Sequence, residues 1–559
     1  MSIPPSMTSP RHQAPTIDPK NLLTAAPALV NALLQAGYTT AGWEKLMGST
    51  AVNALHRHEP GVVEWTLDQM GTGCTAQEAQ LSTAIRLFVL GHCVSHKQAI
   101  ELLGEELLLQ LAGQRVLFMQ RAQEDADSSR QWYAAAMDVR PYTVAASGVD
   151  VVVFSDRDAS VDALPPTPEH VLGVGSASLS VLQATPTSAV GTVLDLGTGS
   201  GIQLLAQQQA CTSLTGSDVH GRALDFARAT LAGNGVHAEV LQGSWFEPVQ
   251  GRLFDRIVAN PPFVVGTGEV GHVYRDSGLS LDGATELVVS QAADYLEPAG
   301  TATIIGAWVH TASESWRSRV ARWVPATGVR AWVVQRDAVD PASYIGTWLE
   351  DESIDPRSAR GRAKTSAWLQ HCADMEVTAV GFGFVWLQKL ADPQAPSEVV
   401  AEELEQELAG PLGDEAEEYF LRAQWLQEQS PEDIMAAAFA LRPGVALEEV
   451  SVSEELTPGI QPAVVRITRM DGPRWSHEID RHVASILKGL GVPGLSLGDT
   501  AQLYFLSQGI DFDPSLMDSA QAAEPTGHSP GAGLEQQLVG VVVDLVRHGV
   551  LIPQQLFTV

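Results

Sequence analysis

A glycine-rich turn between a predicted strand and a predicted helix constrains the fold of this chain most. The turn lies between an apolar strand at 193–196 and a helical stretch at 202–210, and it reads Asp195, Leu196, Gly197, Thr198, Gly199, Ser200, Gly201. Glycine adopts backbone conformations that other residues avoid, so such a turn bends sharply and lets a ligand approach the main chain closely. Many nucleotide-binding proteins carry glycine-rich turns at this position. The turn therefore predicts an α/β fold with a ligand site at the end of a strand.

Apolar strands alternate with helical stretches through the middle of the chain, as this fold requires. The predicted strands lie at 149–154, 193–196, 214–218, 238–241, 256–259, 302–309, 329–335 and 377–387. Helical spacing occurs between them at 202–210, 223–231 and 287–296. The alternation predicts a doubly wound, mostly parallel sheet of seven strands, to which the last two strands add an antiparallel edge.

The length of 559 residues suggests about three domains, and composition marks their boundaries. A Pro- and Ser-rich disordered arm is predicted at 1–20, and a mainly helical domain, either plain or winged-helix-like, at 21–135. The α/β domain follows at 136–391, and an α+β domain occupies 392–559. The acidic stretch at 398–418 is interpreted as a solvated helix, because leucines recur every four residues at 404, 408 and 412.

Charge and cysteine content narrow the functional classes. The chain has 34 basic and 66 acidic residues, which gives a formal net charge of −32. A field of that sign repels phosphate at long range and argues against non-specific nucleic-acid binding, although a local basic groove stays possible. The scattered Cys74, Cys93, Cys211 and Cys372 fit neither a disulfide framework nor a zinc site. We expect a cytoplasmic protein with no metal and, because no run of about 18 apolar residues occurs, no membrane span.

The spacing of the glycines excludes the two commonest nucleotide loops. A dinucleotide fingerprint needs a small residue where this chain has Ile202, and a Walker A loop needs a Gly-Lys-Ser/Thr sequence that is absent. The form Asp-x-Gly-x-Gly-x-Gly resembles motif I of class I methyltransferases. That resemblance implies S-adenosylmethionine as the cofactor, with its methionine and ribose over Asp195, Gly197, Thr198, Gly199 and Gly201.

Two positions beyond motif I complete the cofactor site that the resemblance implies. Asp218 ends the next predicted strand, 23 positions after Asp195, where the family has an acidic residue that binds the ribose hydroxyls. The alternative role for Asp218 is a helix N-cap. Ser244 and Trp245 follow the third strand, where many relatives carry an Asp that binds the adenine amine. Either the Ser244 side chain or the backbone of Trp245 is expected to replace it, although Trp245 also suits the core.

The sequence Asn260-Pro261-Pro262-Phe263 follows the strand at 256–259 and matches the (N/D)PP(Y/F) motif of amino-group methyltransferases. We expect the Asn260 side-chain oxygen to accept one N–H of a planar amine or amide, and the Pro261 carbonyl to accept the other. The two prolines stiffen the loop, which supports catalysis by orientation. Phe263 can stack on a planar substrate group. Asn260 is also predicted to border the cofactor.

Three further segments have open interpretations. Gly173–Ser176 lies in the region before motif I, where it either borders the cofactor or forms an ordinary turn. Tyr274–Gly278 contains Arg275 and Asp276, which either position the substrate or pair on the surface. The isolated His310 is interpreted as structural.

With both motifs in place, residues 136–390 resemble the HemK/PrmC-like and methyltransferase small domain group, in its large actinobacterial form with extra domains at both ends. The resemblance implies an N-methyltransferase acting on RNA (guanine N2 or adenine N6, in ribosomal or transfer RNA) or on a glutamine of a translation protein. Phe263 favours a nucleobase, because glutamine methyltransferases usually have Tyr there, whereas the net charge favours a protein. The alternatives are a non-catalytic S-adenosylmethionine-binding or translation-associated adaptor, which would have a broken Asn-Pro-Pro-Phe motif, and a nicotinamide dehydrogenase, which Ile202 disfavours.

Overall fold

The structure is a computed structural model, and it describes residues 17–57, 59–70, 73–121, 131–144, 147–158, 167–266, 278–352, 354–453, 459–509 and 530–558. The chain divides into two compact units. The first contains Met1–Leu182 and Thr187–Glu403, and the second contains Gln183–Pro186 and Leu404–Val559. Most of the arm predicted at 1–20 lies outside the described residues.

The first unit begins with helices and two small antiparallel sheets, ordered β1-β3-β2 and β4-β5. These elements are α1 (Ala26–Gln35), α2 (Thr40–His56), α3 (Pro60–Asp68), α4 (Ala76–Phe88), β1 (Val94–Ser95), α5 (His96–Leu103), α6 (Glu105–Gly113), β2 (Leu117–Arg121), β3 (Gln131–Ala135), β4 (Asp138–Val144) and β5 (Val149–Ser155). Capping boxes at Thr75 and Ser95 start α4 and α5. Gly104, whose φ of +76° is not helical, separates α5 from α6.

An eight-stranded sheet forms the centre of the first unit, in the order β13-β11-β12-β10-β9-β6-β7-β8. Its strands and flanking helices are α7 (Ser176–Ala184), β6 (Val190–Leu196), α8 (Ile202–Gln207), β7 (Cys211–Asp218), α9 (Gly221–Gly233), β8 (Glu239–Gln242), β9 (Phe254–Ala259), α10 (Gly283–Ala292), β10 (Leu296–Thr311), α11 (Trp316–Trp323), β11 (Val329–Val339), α12 (Pro341–Asp351), α13 (Ala359–Asp374), β12 (Val377–Lys389) and β13 (Glu398–Glu403). β12 is antiparallel to both of its neighbours, and the other pairings are parallel. The doubly wound, mostly parallel α/β fold is therefore confirmed.

The order of the strands places the glycine turn at a reversal of the sheet. β6 lies between β7 and β9, so the chain builds one half of the sheet outward through β7 and β8 and then returns to start the other half at β9. Ligands of doubly wound sheets bind at such a switch point, beyond the carboxyl ends of the strands. Leu196 is in register with Ser217 on one side and with Ala259 on the other, so β6, β7 and β9 end at the same level.

The interpretation of 398–418 as one helix is wrong, because 398–403 forms an eighth strand of the sheet. Seven of the predicted strands lie in this sheet, and the one predicted at 149–154 lies outside it and pairs with β4. Glu398–Glu403 pairs in parallel with β11, and Val399 and Ala401 pack against the apolar cluster under the sheet. The β-branched residues and the available sheet edge outweigh the four-residue leucine spacing. The sheet therefore continues past the boundary predicted at 391.

Helix α9 joins the N-terminal helices to the sheet. Ala223, Phe226 and Ala229 on this helix belong to the same buried cluster as the apolar residues of α1 to α6. Leu231 faces the other way, into a cluster with Val193 of β6 and Leu214 of β7. The segments predicted as separate domains at 21–135 and 136–391 thus share one core and lie in one compact unit.

The second unit is an α+β arrangement with its own core. Its elements are α14 (Gly413–Gln427), α15 (Pro431–Ala436), β14 (Phe439–Leu441), β15 (Val445–Ser453), β16 (Ile460–Arg469), β17 (Ser476–Ile479), α16 (Arg481–Lys488), α17 (Leu497–Ser507), α18 (Pro530–Arg547) and β18 (Leu551–Pro553). Arg422 and Arg469 both pair with Glu415, and all three side chains are buried. Pairing offsets the cost of burying these charges.

Within the residues that the structure describes, no helix has the length and apolar character that crossing a bilayer requires. The same residues contain no cluster of three or more His, Cys, Asp or Glu side chains arranged to hold a metal ion.

Candidate functional site

The glycine turn adopts a conformation that only glycine tolerates easily at three positions. Gly197, Gly199 and Gly201 have φ values of +79°, +52° and +89°. The backbone N–H groups of Gly197 and Thr198 both donate to the Ser217 carbonyl, at 2.9 Å each, which ties the turn to β7. A Cβ atom on Gly199 would meet nothing within 4 Å, so this side of the turn is open to a ligand.

Asp195 lies beneath the turn and is almost fully buried. Its Oδ2 accepts a hydrogen bond from the Thr198 hydroxyl at 2.6 Å, whereas its buried Oδ1 has no hydrogen-bond partner among the described residues. Burial raises the pKa of the Asp195 carboxyl to about 7; the Thr198 hydrogen bond opposes the rise, and the nearby charge of Asp218 adds to it. An unpaired buried carboxylate oxygen costs free energy. The unpaired Oδ1 of Asp195 therefore suits a ligand that donates a hydrogen bond or carries positive charge.

Asp218 stands at the end of β7, directly across the turn. Its Oδ2 accepts the Gly199 N–H at 3.0 Å, and its Oδ1 accepts the His220 N–H at 2.9 Å. Burial raises the pKa of Asp218, and these two backbone hydrogen bonds oppose the rise. Because each carboxylate oxygen has two lone pairs, both keep the capacity to accept a ligand hydroxyl. Asp218 is not the N-cap residue, because the N-cap position of α9 is His220, whose side chain makes no capping hydrogen bond.

The backbone beside Asp218 continues the site around the end of β8. The Gly243 N–H donates to the Asp218 carbonyl at 3.1 Å, and the Ser244 carbonyl accepts the Glu247 N–H at 3.0 Å. Trp245 has a φ of +49° and packs partly against the apolar cluster under the sheet. Holding a non-glycine residue in this region costs about 1–3 kcal/mol and requires support from the surroundings. The adenine contact at Ser244 and Trp245 stays a prediction.

The Asn260–Phe263 segment leaves the sheet next to the glycine turn. Since Leu196 and Ala259 are in register, the two motifs begin at neighbouring points on one edge of the sheet. The Asn260 carbonyl oxygen lies 3.8 Å from the position that a Cβ would take on Gly197. The Asn260 Nδ2 donates to the Ser178 hydroxyl at 3.0 Å, while its Oδ1 accepts no hydrogen bond within the described part of the chain.

Ser178, in the first turn of α7, is a site residue that the sequence did not reveal. By accepting from Nδ2 it orients the Asn260 amide, and that orientation leaves the carbonyl oxygen Oδ1 available as an acceptor. The Ser178 carbonyl in turn accepts from Gln203 Nε2 at 2.9 Å, which connects α7 to α8. The one signal was its closeness to the segment predicted at Gly173–Ser176, which ends two residues earlier.

The residues after the two prolines enter a second apolar cluster. Phe263 is half-buried against that cluster, in which Val264 and Val265 are buried together with Tyr344 and Trp368. Part of the Phe263 side chain thus packs against the protein, and its stacking on a substrate stays a prediction.

The other predicted segments have different surroundings. The Val174 carbonyl, within Gly173–Ser176, accepts from the Tyr142 hydroxyl at 3.4 Å. Tyr274, Arg275, Asp276 and Ser277 lie outside the described residues. His310 hydrogen-bonds Gln335 at 2.7 Å and stacks on Trp316, which fixes it in a polar network on the sheet.

Comparison with known families gives three matches along the chain. The family model "Methyltransferase small domain" matches residues 172–314. Two families described only as domains of unknown function match residues 35–126 (DUF7059) and 417–553 (DUF7782). The resemblance to class I methyltransferases is therefore confirmed over the residues that carry both motifs.

Curated relatives match this same part of the chain. Ribosomal RNA small subunit methyltransferase C of Aeromonas hydrophila is 33% identical over 157 residues, which are 27% of this chain and 40% of that protein. Release factor glutamine methyltransferase of Agrobacterium fabrum is 31% identical over 156 residues, 25% of this chain and 54% of that protein. The chain thus spans about half or less of the length of these relatives.

Among solved structures, the chain is similar to the T. thermophilus 16S rRNA N2 G1207 methyltransferase (RsmC) in complex with AdoMet and guanosine. The two are 18% identical, with a TM-score of 0.25, and the match covers 44% of this chain and 64% of that chain. The YcgJ protein of Bacillus subtilis gives 13% identity and a TM-score of 0.26, covering 39% of this chain and 99% of that one.

Proposed function

We propose that this protein is an S-adenosylmethionine-dependent N-methyltransferase that acts on a planar amino or amide nitrogen. The observation that carries the proposal is the register of β6 and β9, which brings the glycine turn and the Asn-Pro-Pro-Phe segment to adjacent points on one edge of the sheet. A cofactor loop and a target-nitrogen loop must meet if a methyl group is to pass between them.

The described residues fit S-adenosylmethionine on three counts. The open side of Gly199 admits a ligand against the backbone, and Asp218 is fixed by two N–H groups with lone pairs left for the ribose hydroxyls. The unpaired Oδ1 of Asp195 suits a cationic ligand. When bound, the cofactor would supply an electrophilic methyl group on a positively charged sulfur.

Asn260 and Pro261 perform the orienting part of the reaction. An exocyclic amine or an amide nitrogen is a weak nucleophile, because its lone pair is delocalised. Two acceptors, the Asn260 Oδ1 and the Pro261 carbonyl, can hold its two N–H bonds and direct the lone pair toward the methyl group. Placing the reacting atoms in this way can supply a large part of the rate enhancement. No strong general base is required, since methyl transfer can precede proton loss.

The substrate is either RNA or a protein glutamine. The named relatives include a ribosomal RNA methyltransferase and a release factor glutamine methyltransferase, and both groups of substrate present a planar nitrogen with two N–H bonds. Phe263 supports a nucleobase such as guanine N2 or adenine N6, whereas the net charge of −32 supports a protein partner of the translation machinery. We place the reaction in the cytoplasm, where both kinds of substrate occur.

A non-catalytic adaptor is disfavoured, because the Asn260 side chain is intact and its acceptor oxygen is free of protein hydrogen bonds within the described residues.

The proposal is tested by methyl transfer from labelled S-adenosylmethionine into a cell lysate, followed by nuclease or protease treatment. We expect label to be incorporated by the unaltered protein, and its loss to nuclease alone identifies RNA, whereas its loss to protease alone identifies a protein. Asn260→Ala is expected to lower transfer by roughly 10²- to 10³-fold, the usual effect of removing one orienting or charge-stabilising group, while cofactor binding by calorimetry persists.

A matched control for Asn260→Ala is Asn53→Ala, an exposed asparagine on α2 remote from both motifs. Its labelled transfer should equal that of the unaltered protein. Equal turnover by Asn260→Ala and Asn53→Ala, or no incorporation of label at all, would contradict the proposal.

A further inference from the structure

The segment that follows the Asn-Pro-Pro-Phe motif is held by an insertion between two strands of the sheet. Helices α12 and α13 lie within residues 340–376, which connect β11 to β12. One helix contributes Tyr344 and the other contributes Trp368, and both side chains reach the same residue, Val265. The Val265 N–H donates to the Tyr344 hydroxyl at 2.7 Å, and the Trp368 indole N–H donates to the Val265 carbonyl at 3.1 Å.

These two hydrogen bonds satisfy a backbone that has left the sheet. β9 ends at Ala259, so the main chain from 260 to 265 has no strand neighbour to pair with. A buried N–H or C=O without a partner is costly, and here two side chains supply the partners. Tyr344 and Trp368 are 2% and 6% exposed, so water does not compete strongly for either bond.

Packing reinforces the same contact. The rings of Tyr344 and Trp368 meet edge to face, with centroids 6.1 Å apart. They belong to the buried cluster that contains Val264 and Val265 and against which Phe263 packs. The insertion therefore fixes both the direction and the depth of the chain three residues after Pro262.

The residues that follow 267–277 are anchored to the same buried cluster. The Leu281 N–H donates to the Gly266 carbonyl at 3.1 Å, and Leu281 is buried in the same cluster. Asp282, the next residue, accepts a bidentate pair of hydrogen bonds from Arg319 and another from the Val309 N–H. A rigid support thus surrounds the residues on both sides of 267–277.

We propose that Tyr344 and Trp368 are positioning residues for methyl transfer, which act by holding the Val265 peptide and thereby the Asn260–Phe263 loop. This inference rests on the proposed function of that loop. Neither side chain touches the reacting atoms in this role. The acceptors on Asn260 and Pro261 must be placed within a fraction of an ångström, because small misplacements of reacting groups cost large factors in rate.

The test uses Tyr344→Phe in the full-length protein, which removes one hydroxyl and keeps the ring. We expect kcat to fall about tenfold, the effect of losing one buried hydrogen bond that orients the loop. The dissociation constant for S-adenosylmethionine should stay within about twofold, because Val265 lies on the target side of the site. Trp368→Phe, which removes the indole N–H, should give the same pattern.

The matched control is Tyr38→Phe. Tyr38 is likewise a buried tyrosine whose hydroxyl bonds to the backbone, but it lies among the N-terminal helices. Its hydroxyl donates to the Val139 carbonyl at 2.5 Å, whereas the Tyr344 hydroxyl accepts from the Val265 N–H. Its loss should lower the melting temperature about as much as Tyr344→Phe does and leave kcat unchanged. That contrast separates positioning from general stability.

The double variant Tyr344→Phe/Trp368→Phe gives a second readout. Because both side chains hold one peptide, their effects on kcat should not multiply, and the double variant should be slower than either single variant by less than about threefold. Full kcat in a folded Tyr344→Phe protein would overturn the inference, as would equal kcat losses in Tyr344→Phe and Tyr38→Phe. Absence of transfer by the unaltered protein would instead overturn the proposed function, and the positioning role with it.

Discussion

The two halves of the candidate site are built by different means. On the cofactor side, Thr198 bonds Asp195 three residues away, and Gly199 bonds Asp218 nineteen residues away. On the target side, Asn260 is bound by Ser178 at a separation of 82 residues, and Val265 by Tyr344 and Trp368 at separations of 79 and 103. A local segment of chain builds the first half, whereas residues from distant parts of the chain build the second.

This difference decides what the sequence can reveal. Residues that make local contacts stand at short, recognisable separations in the sequence. The glycine turn, Asp218 and the strand between them were therefore predictable from residue type and distance along the chain. Contacts across 79 or more residues leave no such spacing. Ser178, Tyr344 and Trp368 carry no motif, and their roles follow only from the order of the strands and the path of the insertion.

Of the three substitutions that test this difference between the halves, Asp218→Ala is expected to have the largest effect. Asp218→Ala removes an acceptor that two backbone N–H groups hold in place, and hydrogen bonds to a charged group are each worth about 1.5–3 kcal/mol. We expect the dissociation constant for S-adenosylmethionine to rise roughly 100-fold by calorimetry.

Asp294→Ala, at an exposed aspartate before β10, is the control for that loss of affinity and should bind the cofactor normally. Undiminished affinity in Asp218→Ala would remove the ribose role from Asp218. The ribose would then be bound by residues outside the local segment 195–218.

A smaller effect is expected from the contact that orients the target half. Ser178→Ala removes the acceptor of the Asn260 Nδ2 hydrogen bond, and the amide then loses its preference for presenting Oδ1 to the substrate. We expect kcat to fall about tenfold, from the loss of one orienting hydrogen bond, with cofactor affinity retained. Steady-state kinetics and calorimetry on the same preparation separate the two quantities.

Ser180→Ala is the matched control, since Ser180 is a half-buried serine on the same helix. If Ser178→Ala lost cofactor affinity by the same factor as kcat, the cofactor side and the target side would not be independent of each other.

The smallest effect concerns the buried carboxyl of Asp195 on the cofactor side. The pKa of Asp195 is about 7 in the folded protein, above the ordinary aspartate value of about 3.9. Between those pH values the folded state keeps a proton that the unfolded state has released, so stability falls as pH rises from about 4 to about 7 and is level above. Asp195→Asn removes this slope.

Thermal unfolding at pH 5 and pH 8 measures that slope. We expect the melting temperature of the unaltered protein to fall by roughly a few degrees more than that of Asp195→Asn between the two pH values. Equal shifts in the two proteins would show that Asp195 titrates normally and is not buried as the structure has it.

The fold, like the site, was predictable where a local pattern of residues determines the structure, and it was not predictable where distant contacts determine it. Strands that contain unbroken apolar runs, such as 331–334 and 384–387, were recognised because burial on both faces needs such runs. β13 was missed, because its acidic residues favour solvent in a sequence read alone. In the fold they accept hydrogen bonds from Arg330, Trp332 and Gln335 of β11, and the pairing with β11 makes the segment a strand. The positive φ of Trp245 was equally invisible, since the surrounding structure imposes it.

The position of α9 has a consequence for how this protein can be divided. Phe226, Ala223 and Ala229 on its outer face are covered by the N-terminal helices, while its inner face covers the sheet beside the Asp218 strand. A fragment cut to begin at residue 136, where the motif-bearing region starts, would leave those apolar side chains bare to water. Such a fragment would associate through that face, so the N-terminal helices keep the helix that follows Asp218 shielded from water.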